Sequence, residues 1–464
     1  MEVLKDIKEL EGSERNALLA DFERRKKARE LILPTDDLAV RARLREIEEP
    51  VALFGEDKGK RRDRLRNLLS NLSEERLAQL EECFKEISHS EIKVTEEKEK
   101  TGTFYFRGSP LLKEARLYIA SYSLPRARQK LILERKHQAN QNSKEEAILH
   151  QEEQKLLKNY SNYCSQVGGE RAISYSTFSP DSSSVATSDW TGLCKLWKVP
   201  SCDLLRTLRG HKNRVCCIKF HPTSTIQQSP SALNLVSSSF DGEVLLWNLE
   251  KETPIGSLTG HPLRVSRVDF HPSGRYLGTT CFDSSWRFWD IEKQVELVHQ
   301  TGHSKEVYDI CFQKDGALVI TSGLDSMCRL WDLRTGRCIM VLQGHVKPVM
   351  AVDFHPNGHV VLTGSDDHTL KLWELRQRQC SYTIPGHTNT VSCVKFEPNH
   401  GRYFVSSSYD LSVKIWSNKN WLHLKTLEAH TCKILSCDIA RDNKFVVSSS
   451  FDRTFKLWAE DKEL

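Results

Sequence analysis

One tryptophan recurs seven times, at Trp197, Trp247, Trp289, Trp331, Trp373, Trp416 and Trp458, with intervals of 50, 42, 42, 42, 43 and 42 residues. A short β-rich run precedes each, as in Val244-Leu245-Leu246 and Val413-Lys414-Ile415. Six of the seven have a Gly-His or Ala-His pair 28 to 36 residues upstream. A unit of this length holds a few short strands and cannot bury its apolar face alone, so copies must stack against one another. Repetition at this period predicts an all-β fold, a propeller of four-stranded blades.

The rest of the chain is a different material. Of residues 1–160, 64 are charged (33 Lys/Arg and 31 Asp/Glu), against 65 of the remaining 304, and all ten tryptophans lie at or beyond Trp190. This predicts a highly charged α-helical arm followed by a β-rich body. The net charge of +5 over 464 residues gives no warrant for a protein that coats nucleic acid. Fourteen cysteines are scattered without metal-ligand spacing, which predicts buried thiols rather than a metal site or disulfides. The first thirty residues have no apolar core segment, and no stretch reaches membrane-spanning length, so neither secretion nor a membrane span is expected.

Along the arm, helices are expected over 13–33 with Ser13 as cap, over 36–48 with Thr35 or Asp36 as cap, from about Lys60, and from Ser73 through Ile87. Arg24-Arg25-Lys26-Lys27 reads as a nuclear-import signal or as a solvated helix face. A charged linker over 90–108 leads to a helix opened by Ser109-Pro110, and Pro125 is expected to open another. Ser143 and Glu146 form a capping box for a helix to about Lys158. The division is thus 1–89, 90–159 and a body over 160–464. After Trp458 too few residues remain for an outer strand, so Tyr160 to Val167 is expected to supply it and close the ring.

The repeats contain Ser/His/Asp sets that elsewhere mean a nucleophilic hydrolase: His211, Ser239, Asp241 with Trp247; His345, Ser365, Asp367 with Trp373; His387, Ser408, Asp410 with Trp416; and His430, Ser450, Asp452 with Trp458. Four copies at one period argue for scaffolding, so no catalytic residue, cofactor, metal or small-molecule substrate is expected. Cys281 and Gly323 replace the serine in the third and fourth repeats, and Thr191 replaces the aspartate in the first, so these three are expected to be tied less firmly.

The body resembles the WD40 family, which implies a seven-bladed propeller and a hydrogen-bonded tetrad in each set. In that family the residue before the turn aspartate faces the narrow top of the ring; here it is Trp190, Phe240, Phe282, Leu324, Asp366, Tyr409 and Phe451. Arg214 and Arg264 precede the first strand of two neighbouring repeats, and aromatics with arginine are the usual currency of protein-binding hot spots. Inter-blade packing and stacking on RNA bases are the other readings.

The arm carries a second resemblance. Val40 to Arg45, Glu49 to Glu56 and Arg61 to Arg66 look like the splicing-factor motif, within about 35–75, and Ala115 to Ala127 is similar to the same proteins. In that order the parts resemble the pre-mRNA-processing factor 4 family, the WD40 subunits of the U4/U6 small nuclear ribonucleoprotein. The resemblance implies a nuclear scaffold, speckle-associated, in the U4/U6·U5 tri-snRNP. Its implied partners are the pre-mRNA-processing factor 3 subunit, a cyclophilin on the arm and other tri-snRNP proteins, with U4/U6 RNA mostly indirect. Leu53, Phe54, Arg61, Arg62 and Leu65 match the arm motif and are the expected docking residues. A ubiquitin-ligase substrate receptor is the alternative, and the arm lacks the adaptor-binding helices it needs.

Overall fold

The computed structural model describes residues 12–31, 33, 34, 36–51, 53, 56–72, 76, 109–139 and 143–460. The chain divides into two units at residue 107. The helix expected from Ser73, the linker over 90–108, Thr35 and Phe54 lie outside the described residues.

In the first unit three helices, α1 (Gly12–Glu30), α2 (Asp37–Glu46) and α3 (Lys58–Ser70), are described. Asp36 caps α2 by accepting from the Leu38 amide at 3.3 Å. Leu33, Val40, Leu44, Leu65 and Leu69 form a small apolar core. Short helices this rich in charge gain little from propensity alone, so that core decides their stability.

The second unit is a ring of seven four-stranded antiparallel sheets. Within each sheet, strands follow chain order from the centre outward, except in the seventh. There Tyr160–Val167 is the outer strand and pairs with Thr454–Glu460, from Tyr160 opposite Glu460 to Val167 opposite Thr454. Inner strands are buried on both faces, as in Ile173–Phe178 and Tyr276–Cys281, while outer strands such as Gln379–Pro385 alternate or face water. Neighbouring blades are also tied by carboxylates. Asp353 accepts from the Phe396 amide at 2.7 Å and from Lys395 Nζ at 3.1 Å, and Asp438 accepts from the Phe178 amide at 2.9 Å. At the wide end, His271 Nε2 donates to the carbonyl of Gly316 at 2.8 Å. Gly316 has φ +82°, and a Cβ there would sit 2.7 Å from that imidazole, so the turn needs glycine.

Two further helices, α4 (Pro110–Ala139) and α5 (Ser143–Lys158), belong to the propeller unit. Pro125 does not open a new helix but lies inside α4. A proline there costs a hydrogen bond and a clash, and anchors on both sides of it offset that cost. On one side Ala115 and Ile119 are buried among Tyr276, Trp286, Phe288 and Trp331. On the other, Lys130 pairs with Asp315 at 3.2 Å and Glu134 with His359 at 3.4 Å. Besides the strand residues of that core, α4 touches turns joining first to second and third to fourth strands, such as those at Gly316 and Gly336. α5 meets the same end of the ring, where Glu153 pairs with Arg402 and Gln154 donates to Ser417 Oγ at 3.2 Å. The opposite end, formed by the turns between second and third strands, is where the site lies.

Ile119 is fully buried beneath α4. Ile119→Ala is expected to cost about 2–4 kcal/mol, measured by chemical denaturation, and to make α4 exchange its amide hydrogens earlier than the blades.

Candidate functional site

Each of the seven repeat tryptophans donates its indole N–H to a hydroxyl ten residues earlier. In the fifth blade Trp373 Nε1 donates to Thr363 Oγ1 at 2.9 Å, Thr363 Oγ1 lies 2.7 Å from His345 Nε2, and His345 Nδ1 lies 2.8 Å from Asp367 Oδ2. The same chain runs through Trp331, Thr321, His303 and Asp325, through Trp416, Ser406, His387 and Asp410, and through Trp458, Ser448, His430 and Asp452. The hydroxyl is therefore not the expected Ser365, Ser408 or Ser450 but the residue two positions before it. Side chains two apart on a strand share a face, and Thr363 is diagonal to Trp373, which pairs with Val361. Ser365 instead donates to the Lys347 and Pro348 carbonyls and accepts from the Asp367 amide, so it pins the turn. Both hydroxyls are fully buried, which leaves no substrate access to a nucleophile.

Burial opposes the charges on Asp367, Asp410 and Asp452, but hydrogen bonds from their histidines and from Thr369, Ser412 and Thr454 outweigh it. All three carboxyls lie well below the usual range.

The tetrad holds the turn whose first residue stands on the rim. In all seven blades the amide of that residue donates to the carbonyl of the residue preceding the innermost strand, at 2.9–3.1 Å. The pairs are Trp190 with Ala172, Phe240 with Arg214, Phe282 with Arg264, Leu324 with Glu306, Asp366 with Pro348, Tyr409 with Thr390 and Phe451 with Lys433. This one bond sets each cation beside an aromatic ring. Arg264 lies 4.4 Å over Phe240 and 3.8 Å over Phe282, Arg214 lies 4.8 Å over Trp190, and Lys433 lies 5.0 and 4.9 Å over Tyr409 and Phe451. Trp190 meets Phe451 edge-on at 5.3 Å. Of the expected rim residues, Trp190, Arg214, Phe240, Arg264, Phe282 and Tyr409 line one funnel of about 440 Å³, and Phe451 stands behind them against Trp190 and Lys433.

Lys433 and the funnel wall were not legible as site residues. In every blade the second residue of the innermost strand is skipped by the ladder, a β-bulge that re-aims its side chain. Six of these seven residues, Ser174, Cys216, Ser266, Tyr308, Met350 and Leu435, line the funnel. The available signal is their constant place after the first apolar residue of each strand. Among the described residues no group of three or more His, Cys, Asp or Glu is placed to hold a metal.

In the arm, two expected docking residues are internal. Leu65 is fully buried in the small core, and Arg61 is 5 % exposed, its guanidinium 2.5 Å from Asp37. The basic-apolar alternation of α3 turns Leu65 toward α2, where packing uses it. Arg62 donates to the Leu33 carbonyl at 3.0 Å, and Leu53 is 49 % exposed.

The WD domain, G-beta repeat family model matches residues 202–248, 252–290, 295–332, 336–374, 378–417 and 421–459. The chain belongs to the WD40-repeat family. A second model, pre-mRNA processing factor 4 (PRP4) like, matches residues 40–68. The chain is 55% identical over 271 residues, 58% of its length and 50% of the relative's, to "U4/U6 small nuclear ribonucleoprotein Prp4" of Homo sapiens. It is 38% identical over 241 residues (50% and 42%) to "U4/U6 small nuclear ribonucleoprotein PRP4-like protein" of Arabidopsis thaliana. Over 198 residues (42% and 41%) it is 32% identical to "U4/U6 small nuclear ribonucleoprotein PRP4" of Saccharomyces cerevisiae. The chain spans about half the length of the curated relatives it matches most strongly.

Six WD40 matches stand against seven blades, the unmatched one being the first, which carries Trp197. The fourth is complete, contrary to expectation, because Thr321 and not Gly323 is its hydroxyl position. The third keeps Thr279 between Trp289 and His261, but Arg287 stands 2.9 Å from His261 and 3.0 Å from Asp283, interposed between them. In the second, His211 contacts Ser237 at 2.6 Å, not Ser239, and Asp241 accepts from Asn213 instead. The first has only the Trp197 to Thr187 bond, with Gly169 packed on Asp189.

Thr363→Val strands a buried indole N–H and an imidazole and should cost about 2–3 kcal/mol, against about 1 for Ser365→Ala, both read by denaturant unfolding. Burial pushes His211 down to about 4, and burial with Arg287 pushes His261 down to about 3. Neutral when folded, these histidines give stability that is complete above about 6.5 and is lost as pH falls toward their folded values. The melting temperature should therefore fall across that window, less steeply in His211→Asn.

Proposed function

We propose that this protein is a non-catalytic scaffold subunit of the U4/U6 and U4/U6·U5 tri-snRNP that acts in pre-mRNA splicing in the nucleus, speckles included. The observation that carries this reading is the order of parts: a PRP4-like motif at 40–68, then a propeller in a chain 55% identical over 271 residues to a relative named U4/U6 small nuclear ribonucleoprotein Prp4. The burial of every Ser/His/Asp hydroxyl supports a scaffold over a hydrolase. Its partners are the pre-mRNA-processing factor 3 subunit and other tri-snRNP proteins, with U4/U6 RNA reached mostly through them. On the arm, a cyclophilin meets Leu53, Phe54 and Arg62, while Arg61 and Leu65 hold the surface in shape. The funnel rim, rich in aromatics and cations, is the propeller's protein contact.

Affinity purification from nuclear extract should recover U4 and U6 RNA, and their absence sinks the reading. Phe240→Ala with Phe282→Ala should leave the melting temperature within a few degrees yet lower recovery of at least one protein partner. Undiminished recovery removes the funnel from the contact surfaces.

A further inference from the structure

The funnel holds more positive charge than it neutralises. Arg214, Arg264, Arg267 and Lys433 line it, and no aspartate or glutamate does. The two carboxylates on the rim, Glu306 and Asp366, occupy the fourth and fifth blades outside the lining, and Asp366 is turned toward Lys347 at 3.6 Å and toward Thr390. Among the described residues none of the four cations has an ion-pair partner. Arg267 is only 7 % exposed, and the hydrogen bond it makes is to the Cys216 carbonyl, at 3.0 Å. Its charge rests against Tyr175 at 4.5 Å and Tyr308 at 5.4 Å. Arg264 Nε is buried without a hydrogen-bond partner. Aromatic faces hold cations in place but leave their charge intact, so the funnel favours an anion.

The wall also has an apolar sector, formed by Leu324, Met350 and Leu435. The cations already sit over Trp190, Phe240, Phe282, Tyr409 and Phe451, so an incoming base would compete with them for those rings. A nucleic acid would satisfy the cations but bring nothing aliphatic to Leu324 and Met350. We propose that the funnel receives an acidic segment of a protein partner, with an Asp or Glu carboxylate on Arg264 and Arg214 and a neighbouring aliphatic side chain on Leu324 and Met350. This rests on the reading above that the top of the propeller contacts a protein.

The test is selection of random peptides displayed on phage against the immobilised full chain, with an oligouridylate as the nucleic-acid probe. Recovered peptides should be enriched in Asp or Glu next to Leu, Ile or Val. A synthetic peptide from the selection should bind about tenfold or more weakly to Arg264→Gln, the loss expected for a charge-assisted hydrogen bond. Arg214→Gln, at an exposed position, should also weaken it, whereas Arg128→Gln on the outer face of α4 should not. Unchanged melting of the variants keeps the comparison free of misfolding. No enrichment, enrichment without acidic residues, full binding by a folded Arg264→Gln, or tighter binding of the oligouridylate than of the peptide each overturns the proposal. The selection contains no nuclear component, so its failure leaves snRNP membership to be decided by the RNA recovered above.

Discussion

A single buried hydroxyl shared by a tryptophan and a histidine organises each well-formed blade. Thr363 accepts the Trp373 indole N–H and gives its own proton to His345, whose other nitrogen donates to Asp367. Those bonds fasten the loop before the first strand to the turn between the second and third, across the buried core. Because the rim residue precedes the turn aspartate, the fastening also fixes the mouth of the funnel. The site is thus a by-product of how blades are stabilised, and its chemistry is set by residues that the scaffold leaves free.

Sequence periodicity made the wheel legible because a tryptophan of this kind has one role and one place. The tetrad was misread by two residues for a physical reason. Serines or threonines at both positions point to the same face of the strand, and only the register with the neighbouring strand decides which one meets the indole. Periodicity also carried the rim aromatics, since they occupy one turn position. It did not carry the inward-facing residues at the bulges, because a skipped rung leaves no mark in the apolar alternation. Nor did it reveal the buried Arg267, which reads in sequence as an ordinary strand arginine.

Composition sets α4 and α5 apart from the body, while their charge leaves them without a core of their own and in need of the propeller or a partner. They belong to the propeller unit, where pairs such as Lys130 with Asp315 and Glu153 with Arg402 consume charge against the turns. Pro125 misled, since tertiary anchors overrode a local break. In the arm, the motif identified a family of sequences but not which of its side chains are free. Leu65 is spent on packing, and a motif read from sequence alone cannot distinguish a residue kept for a partner from one kept for the fold.

The strand that closes the ring comes from Tyr160–Val167 and its partner from Thr454–Glu460, so the first part of the propeller to be synthesised waits for the last. Until then the chain is a crescent with two apolar ends, and contact between segments this distant is entropically slow to form. Closure of the body therefore waits until Thr454–Glu460 has been made, and until then the open ring depends on protection from aggregation. Loss of Thr454–Glu460 would not trim an edge so much as leave the ring open.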